Sequence, residues 1–172
     1  PISIFNIPSA KEIAIEFHSL SKTFNMTGWR IGFAIGNEDI IRGLGSIKSN
    51  VDSGIFNAIQ IAGIRALQPD MEKYVEETRK IIENRKKNLT KALEEIGFKV
   101  YSSNATFYIW VKNPEGFSSK EISTLLLNKA GIVVTPGNGF GEFGEGYFRI
   151  SVTANDERIK EAIERIKNTK IL

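Results

Sequence analysis

The segment 71–96 constrains this 172-residue chain more than any other. It is long and highly charged, and Tyr74, Ile81, Ile82, Leu89, Leu93 and Ile96 fall along it as one apolar stripe at helical spacing, with Gly97 placed to cap it. A helix of that length suits the joining of two bodies, and the hinge is expected in its first half. Beyond it the pattern changes to short strands alternating with helices. Strands are expected over 99–101, 107–111, 132–135 and 147–152 and helices over 119–129 and 156–170, with Ser118 or Ser119 and Asn155 as N-caps. That alternation predicts a small α+β carboxy-terminal domain, assigned residues 71–172 together with the long helix.

Residues 1–70 follow a different pattern. The opening 1–8 lacks an initiator methionine and carries Pro1 and Pro8, which suits an extended connector inside a longer protein. Residues 12–17 alternate polar and apolar as a half-buried strand does, while 31–36 form a short apolar run typical of a buried one. Glu38 and Asp39 stand where the dipole of a helix over 38–47 favours acid. Residues 50–54 break that helix, and 55–67 resume with Ile55, Ile59, Ala62 and Ala66 on one face until Pro69 ends the run.

Between the two expected strands lies 19–32, a polar loop holding one lysine, several hydroxyls, one arginine and two glycines. A lysine so held can act as an amine nucleophile toward a carbonyl. Arg30 with the hydroxyls of Ser19 and Ser21 offers donors suited to a phosphate, because a guanidinium binds phosphate oxygens bidentately and keeps its charge. Carbonyl, lysine and phosphate together suggest pyridoxal phosphate. Taken alone, Lys22 still reads as an ordinary surface lysine, since few lysines form Schiff bases.

Arg149 stands between Phe148 and Ile150 in an apolar strand, where an arginine needs an anionic partner. An internal ion pair with a glutamate and a bound ligand anion both satisfy that need. The run 139–144 matches G-x-G-x-x-G, but a strand pattern follows it and no helix amino terminus is available for a pyrophosphate, so it reads as a flexible glycine loop. His18, Trp29 and Phe24 read as structural groups. The absence of cysteine and the single histidine exclude thiolate and histidine-cluster metal sites, so no metal is expected. Hydrophobic residues at 41%, charged residues at 25% and a net charge of +3 spread among acids argue for a globular protein without a nucleic-acid-binding patch. No apolar run reaches the length that spans a bilayer and no signal-peptide pattern opens the chain, so a cytoplasmic location away from membranes is expected.

The run S-L-S-K-T-F-N-M-T-G-W-R-I-G over 19–32 resembles the lysine-attachment signature of class I/II aminotransferases, the fold-type I pyridoxal-phosphate enzymes. The longer run E-F-H-S-L-S-K-T-F-N-M-T-G-W-R-I-G-F-A-I-G-N is similar to the LL-diaminopimelate aminotransferase branch, and a second block of likeness runs over 135–153. The resemblance implies an α/β fold in which residues 1–70 are the end of the cofactor-binding large domain and 71–172 the small domain, so that only the carboxy-terminal portion of such an enzyme is present. It implies that Lys22 carries the cofactor, that Ser19, Ser21 and Arg30 hold its phosphate, and that Arg149, in G-Y-F-R-I-S, clamps the substrate α-carboxylate. Asn57 and Ser53 fall where the family approaches the active site of the opposite subunit of a homodimer, and Asn57 is taken as a substrate-binding candidate. The implied reaction moves an amino group between an amino acid and a 2-oxo acid, in lysine biosynthesis. The acid that pairs with the pyridine nitrogen in the family matches none of Glu12, Glu16 or Asp39, so this chain alone is expected to be inactive. Aspartate, alanine and aromatic amino acids remain alternative substrates, and a non-catalytic cofactor-sensing domain of a transcription regulator is the alternative of another class.

Overall fold

A computed structural model describes residues 2–169 and 171, and the chain divides into two compact units, residues 1–77 and 78–172. The first is mixed helix and strand around an antiparallel pair, β1 (Ile15–Ser19) with β2 (Gly32–Gly36), in the register Ile15 to Gly36 and Ser19 to Gly32. The strand expected over 12–17 therefore lies three residues later. Because β2 ends opposite Ile15, no strand continues beside 12–14, and only Asn37 reaches back, its backbone N–H donating to the Ala14 carbonyl and its side-chain amide to that of Glu12. Residues Ala10–Ile13 close instead into a helical turn, α1, through Ala14 N–H to the Ala10 carbonyl. Upstream, the connector expected to be extended contains a 3-10 turn over Ile4–Asn6, because the Ser3 hydroxyl accepts from Phe5 N–H and caps it.

The connection from β1 to β2 is more than a loop. It holds a helical turn, α2 (Leu20–Thr23), and a 3-10 turn over Thr27–Trp29. After β2 come α3 (Glu38–Val51), whose first turn is capped by the Asn37 side chain accepting from Ile40 N–H, and α4 (Asn57–Ala66), which starts two residues later than the apolar pattern suggested. Leu20, Met26 and Ala66 form the buried nucleus of this unit, with Phe24, Ile31, Phe33 and Ala62 packed around them. Gly63 lets α4 come close: a Cβ there would stand 2.6 Å from Ile31 Cδ1, which is tighter than atoms pack.

The long helix α5 (Glu72–Ile96) begins in the first unit and continues into the second. Leu89 and Leu93 of its stripe are buried and Ile82 and Ile96 partly so, but Tyr74 and Ile81 are about half exposed. Gly97, at φ 108°, ends the helix as expected, with Phe98 N–H donating back to the Leu93 carbonyl. The second unit is a four-stranded antiparallel sheet, in the order β3 (Val100–Ser102), β4 (Tyr108–Lys112), β6 (Tyr147–Ser151), β5 (Thr135–Pro136). Two further helices, α6 (Ser119–Ala130) and α7 (Asp156–Asn168), pack with it, and the expected caps are present: Ser118 forms a capping box with Glu121, and Asn155 accepts from Arg158 N–H. The strand expected over 132–135 is reduced to two residues. The expected helix end at Lys170 lies outside the described residues.

Period-2 alternation sorts this sheet into two faces. Ile109, Val111, Phe148 and Ile150 enter one core with Leu93, Ile122, Leu126 and Ile159, while Tyr108, Trp110, Tyr147 and Arg149 take the alternate positions on the other face. No described helix is long and apolar enough to cross a membrane.

Candidate active site

In the first unit, the segment that carries Lys22 is built from its own polar atoms. Ser19 ends β1 and its hydroxyl oxygen accepts from Ser21 N–H at 3.2 Å, which starts the turn α2 on which Lys22 sits. The Thr27 hydroxyl donates to the Ser21 carbonyl at 2.9 Å, and Arg30 Nη1 donates to the Thr27 carbonyl at 3.1 Å. A chain of hydrogen bonds thus links Ser19, Ser21, Thr27 and Arg30. Beneath it, Leu20 and Met26 are buried and fasten the segment to α4. Ser19, Ser21 and Arg30 are brought together here, Lys22 sits on the same turn, and Thr27, which the sequence pattern does not mark, links Ser21 to Arg30.

Two features suit this cluster to an anion. Arg30 spends one of its five N–H donors on Thr27 and forms no ion pair among the described residues. Its backbone is left-handed, at φ 54°, as is that of Asn25 at φ 55°. A non-glycine residue held there costs on the order of 1–3 kcal/mol, a strain that structures keep mainly where a side chain must be aimed. The Ser19 oxygen accepts a backbone hydrogen bond, which leaves its own O–H to donate elsewhere. Hydroxyl donors beside an uncompensated guanidinium fit a phosphate group.

The acids nearby are engaged otherwise. Glu16 accepts from the Ser3 hydroxyl at 2.7 Å and from Ile4 N–H at 2.8 Å and meets His18 Nε2 at 2.7 Å; the Ser3 and Ile4 donors hold its carboxyl below the usual range. His18 also stacks on Phe33, with centroids 4.9 Å apart, in keeping with a structural role. Asp39 pairs with Arg42. Trp29, expected to pack, is 47% exposed, whereas Phe24 does pack on the nucleus. Asn57 is exposed at the first position of α4, and Ser53 is exposed before it.

Arg149 lies in the second unit. Its guanidinium carbon sits 3.9 Å from the ring centre of Tyr108 and 4.4 Å from that of Phe140. Among the described residues its side chain has neither a hydrogen bond nor a carboxylate, so the internal ion pair with a glutamate is not formed. An arginine in a sheet with aromatic contacts and no counter-ion is free to take a ligand anion.

The glycine run beside it is ordered into 3-10 turns, Gly137–Phe140 and Glu142–Gly144. The buried Ser119 hydroxyl accepts from Gly146 N–H at 3.0 Å and Tyr147 N–H at 3.3 Å, and Glu145 accepts from Ser119 N–H at 2.7 Å, a bond that lowers the Glu145 pKa. A strand follows the run, so no dinucleotide site exists there. No group of acids and histidines able to hold a metal occurs among the described residues.

The profile of the family described as aminotransferase class I and II matches residues 4–166. The chain belongs to that family. Its members depend on pyridoxal 5'-phosphate. The chain is 59% identical over 171 residues to the LL-diaminopimelate aminotransferase of Aquifex aeolicus, covering 99% of this chain and 44% of that enzyme. It is 57% identical over 166 residues to the enzyme of that name from Maridesulfovibrio salexigens, covering 96% and 42%. Among solved structures, a substrate-bound BacF from Bacillus subtilis superposes with a TM-score of 0.90 at 38% identity, over 98% of this chain and 43% of that one. The chain therefore spans less than half the length of the curated aminotransferases it matches, and the likeness to solved aminotransferases covers both units.

Proposed function

We propose that this chain is the carboxy-terminal portion of a transaminase that uses pyridoxal 5'-phosphate to move an amino group between an amino acid and a 2-oxo acid, with LL-diaminopimelate as the amino acid, in lysine biosynthesis. The observation that carries the reading is the 59% identity to an LL-diaminopimelate aminotransferase across nearly the whole chain. In this reading residues 1–70 end the large domain of a fold-type I enzyme and 71–172 hold the linking helix and small domain; the protein is a cytoplasmic homodimer, and Asn57 contacts substrate.

The residues divide the work by chemistry. The Ser19 and Ser21 hydroxyls and the Arg30 guanidinium hold the phosphate, with Thr27 fixing their spacing. Lys22 Nζ would be the attachment amine and, once the incoming substrate amine had displaced it, would be free to accept the substrate α-proton. Arg149 binds the α-carboxylate through two parallel N–H donors. Bound there, the cofactor supplies an electron sink for the substrate α-carbon. Glu16 is held by Ser3, Ile4 and His18, and Asp39 by Arg42, which supports the reading that neither serves the cofactor ring and that the chain by itself does not turn over.

The test is covalent trapping. Incubating the chain with pyridoxal 5'-phosphate, reducing with borohydride and mapping the adduct should label the peptide containing Lys22, and Arg30→Ala should weaken the labelling. A label on another lysine overturns the assignment. LL-diaminopimelate added before reduction should suppress labelling more than aspartate, alanine or phenylalanine does, and equal suppression by all four overturns the substrate assignment.

A further inference from the structure

Reading Arg149 as the carboxylate site raises the question of what keeps its guanidinium in one plane. A bidentate clamp needs a fixed edge, and no hydrogen bond supplies one among the described residues. Ring contacts take that place: the guanidinium carbon lies over Tyr108 at 3.9 Å and over Phe140 at 4.4 Å, both well within cation–π range. The first ring comes from the sheet. Tyr108 pairs with Ser151, two residues beyond Arg149 on β6, so it is the diagonal cross-strand neighbour of the arginine.

The second ring comes from the glycine run. Phe140 closes the turn Gly137–Phe140 and is 51% exposed, a poor use of a phenyl ring unless something is gained from its place. Trp110, the cross-strand partner of Arg149, meets it edge-on with centroids 5.5 Å apart and stacks its own ring on Tyr147 at 5.6 Å. Ser119 and Glu145 anchor the base of the run. Sheet, run and α6 thus converge on the ring that lies against the guanidinium.

We infer that Phe140 is a positioning residue: with Tyr108 it forms an aromatic slot that fixes the guanidinium plane of Arg149, so that the N–H edge is presented to a planar carboxylate. The inference rests on the assignment of Arg149 to the substrate carboxylate. It gives the glycine run a task, since the run delivers one wall of the slot while the strand delivers the other.

The experiment is NMR of the whole chain carrying 15N-labelled arginine, reading rotation about the Arg149 Nε–Cζ bond without ligand and, in every variant, pyruvate binding from the broadening of the pyruvate methyl signal, which needs no arginine at position 149. Relative to the parent chain, Phe140→Leu should speed the rotation and weaken pyruvate binding, each on the order of fivefold, and Phe140→Tyr should restore both to within about twofold, as loss and return of a cation–π contact require. Tyr108→Leu should act in the same direction and serves if Phe140→Leu does not fold. Unchanged rotation in both leucine variants overturns the slot, whatever pyruvate does. If Arg149→Lys binds pyruvate as tightly as the parent, the carboxylate assignment fails and takes the positioning role with it. If Arg149→Lys loses pyruvate while neither leucine variant alters rotation or binding, the assignment stands and the inference alone falls.

Discussion

The two units exclude water to different degrees. In residues 78–172 a continuous core runs from Leu89 and Leu93 through Ile109, Val111 and Phe148 to Ile122, Leu126 and Ile166, and several of its members have no exposed surface. In residues 1–77 the nucleus is Leu20, Met26 and Ala66, while Ile13 is 81% exposed and Phe56 73%, with Phe17, Ile47, Val51 and Ile61 also in solvent. An apolar hollow of about 420 Å³ lies open there, lined by residues including Leu20, Ile31, Phe33 and Leu67. One unit buries its apolar side chains in its own core. The other holds the polar cluster around Lys22 on a scaffold that keeps much of its apolar surface outside, and buried apolar area is what most stabilises a fold.

The two tryptophans report on this contrast separately, for Trp29 belongs to the first unit and Trp110 to the second. With the other tryptophan changed to phenylalanine, the Trp110 transition in urea should come at higher denaturant than the Trp29 transition. The largest mutational effect is expected from Leu126→Ala, which should destabilise the Trp110 transition by about 2–5 kcal/mol through loss of burial and the cavity left behind. Leu20→Ala should lower the Trp29 transition and leave that of Trp110 in place. Transitions that move together in either variant would break the comparison.

A smaller effect tests how the second unit holds its polar loop. Ser119→Ala removes the acceptor for Gly146 and Tyr147 N–H and should cost about 1–3 kcal/mol, the range for leaving buried donors unmet. Matching urea midpoints for parent and variant would show that water replaces the hydroxyl without loss.

The smallest effect is a dependence on acid that both units share. Glu16 is held below the usual carboxylate range chiefly by the Ser3 hydroxyl, and Glu145 chiefly by Ser119 N–H. A carboxyl whose pKa is lower in the folded state stabilises above its unfolded pKa and ceases to do so as pH falls through the folded value. Exchange of the Ile4 and Ser119 amides, corrected for intrinsic rate, should therefore stay slow down to the ordinary carboxylate range and quicken only below it. Quickening that starts near neutral pH would mean these bonds do not depend on ionised acids.

What the sequence disclosed was local, and what it hid was not. Ser118, Asn155 and Gly97 act on atoms a few residues away, so their capping roles could be read directly. The start of β1 could not, because it depends on where β2 ends, and residues 12–14 carry the same alternation as those that follow. Around Lys22 the residue types suggested an amine beside a phosphate site, and only the resemblance favoured that over a surface lysine, while the turns that bind these residues together and the part of Thr27 emerged from hydrogen bonds. Arg149 declared itself by standing in an apolar strand. That its neighbours are rings and not a glutamate follows from pairing between β4 and β6 and from the path of a distant turn, neither of which leaves a mark at position 149.

The anchoring of the glycine run also bears on how such a chain can change over generations. Ser119 grips Gly146 and Tyr147 at the threshold of β6, and along that strand Phe148, Arg149 and Ile150 alternate between core and open face. Apart from Phe140 and the close-packed Gly137 and Gly144, composition in the run can drift so long as its turns close. Length cannot: dropping a single residue after the grip point would send Arg149 into the core and turn a phenylalanine or isoleucine outward, as one missing tooth throws a whole gear train out of phase. Insertions and deletions in descendants of this sequence should therefore collect elsewhere, leaving the spacing from Gly146 to Arg149 as a fixed ruler.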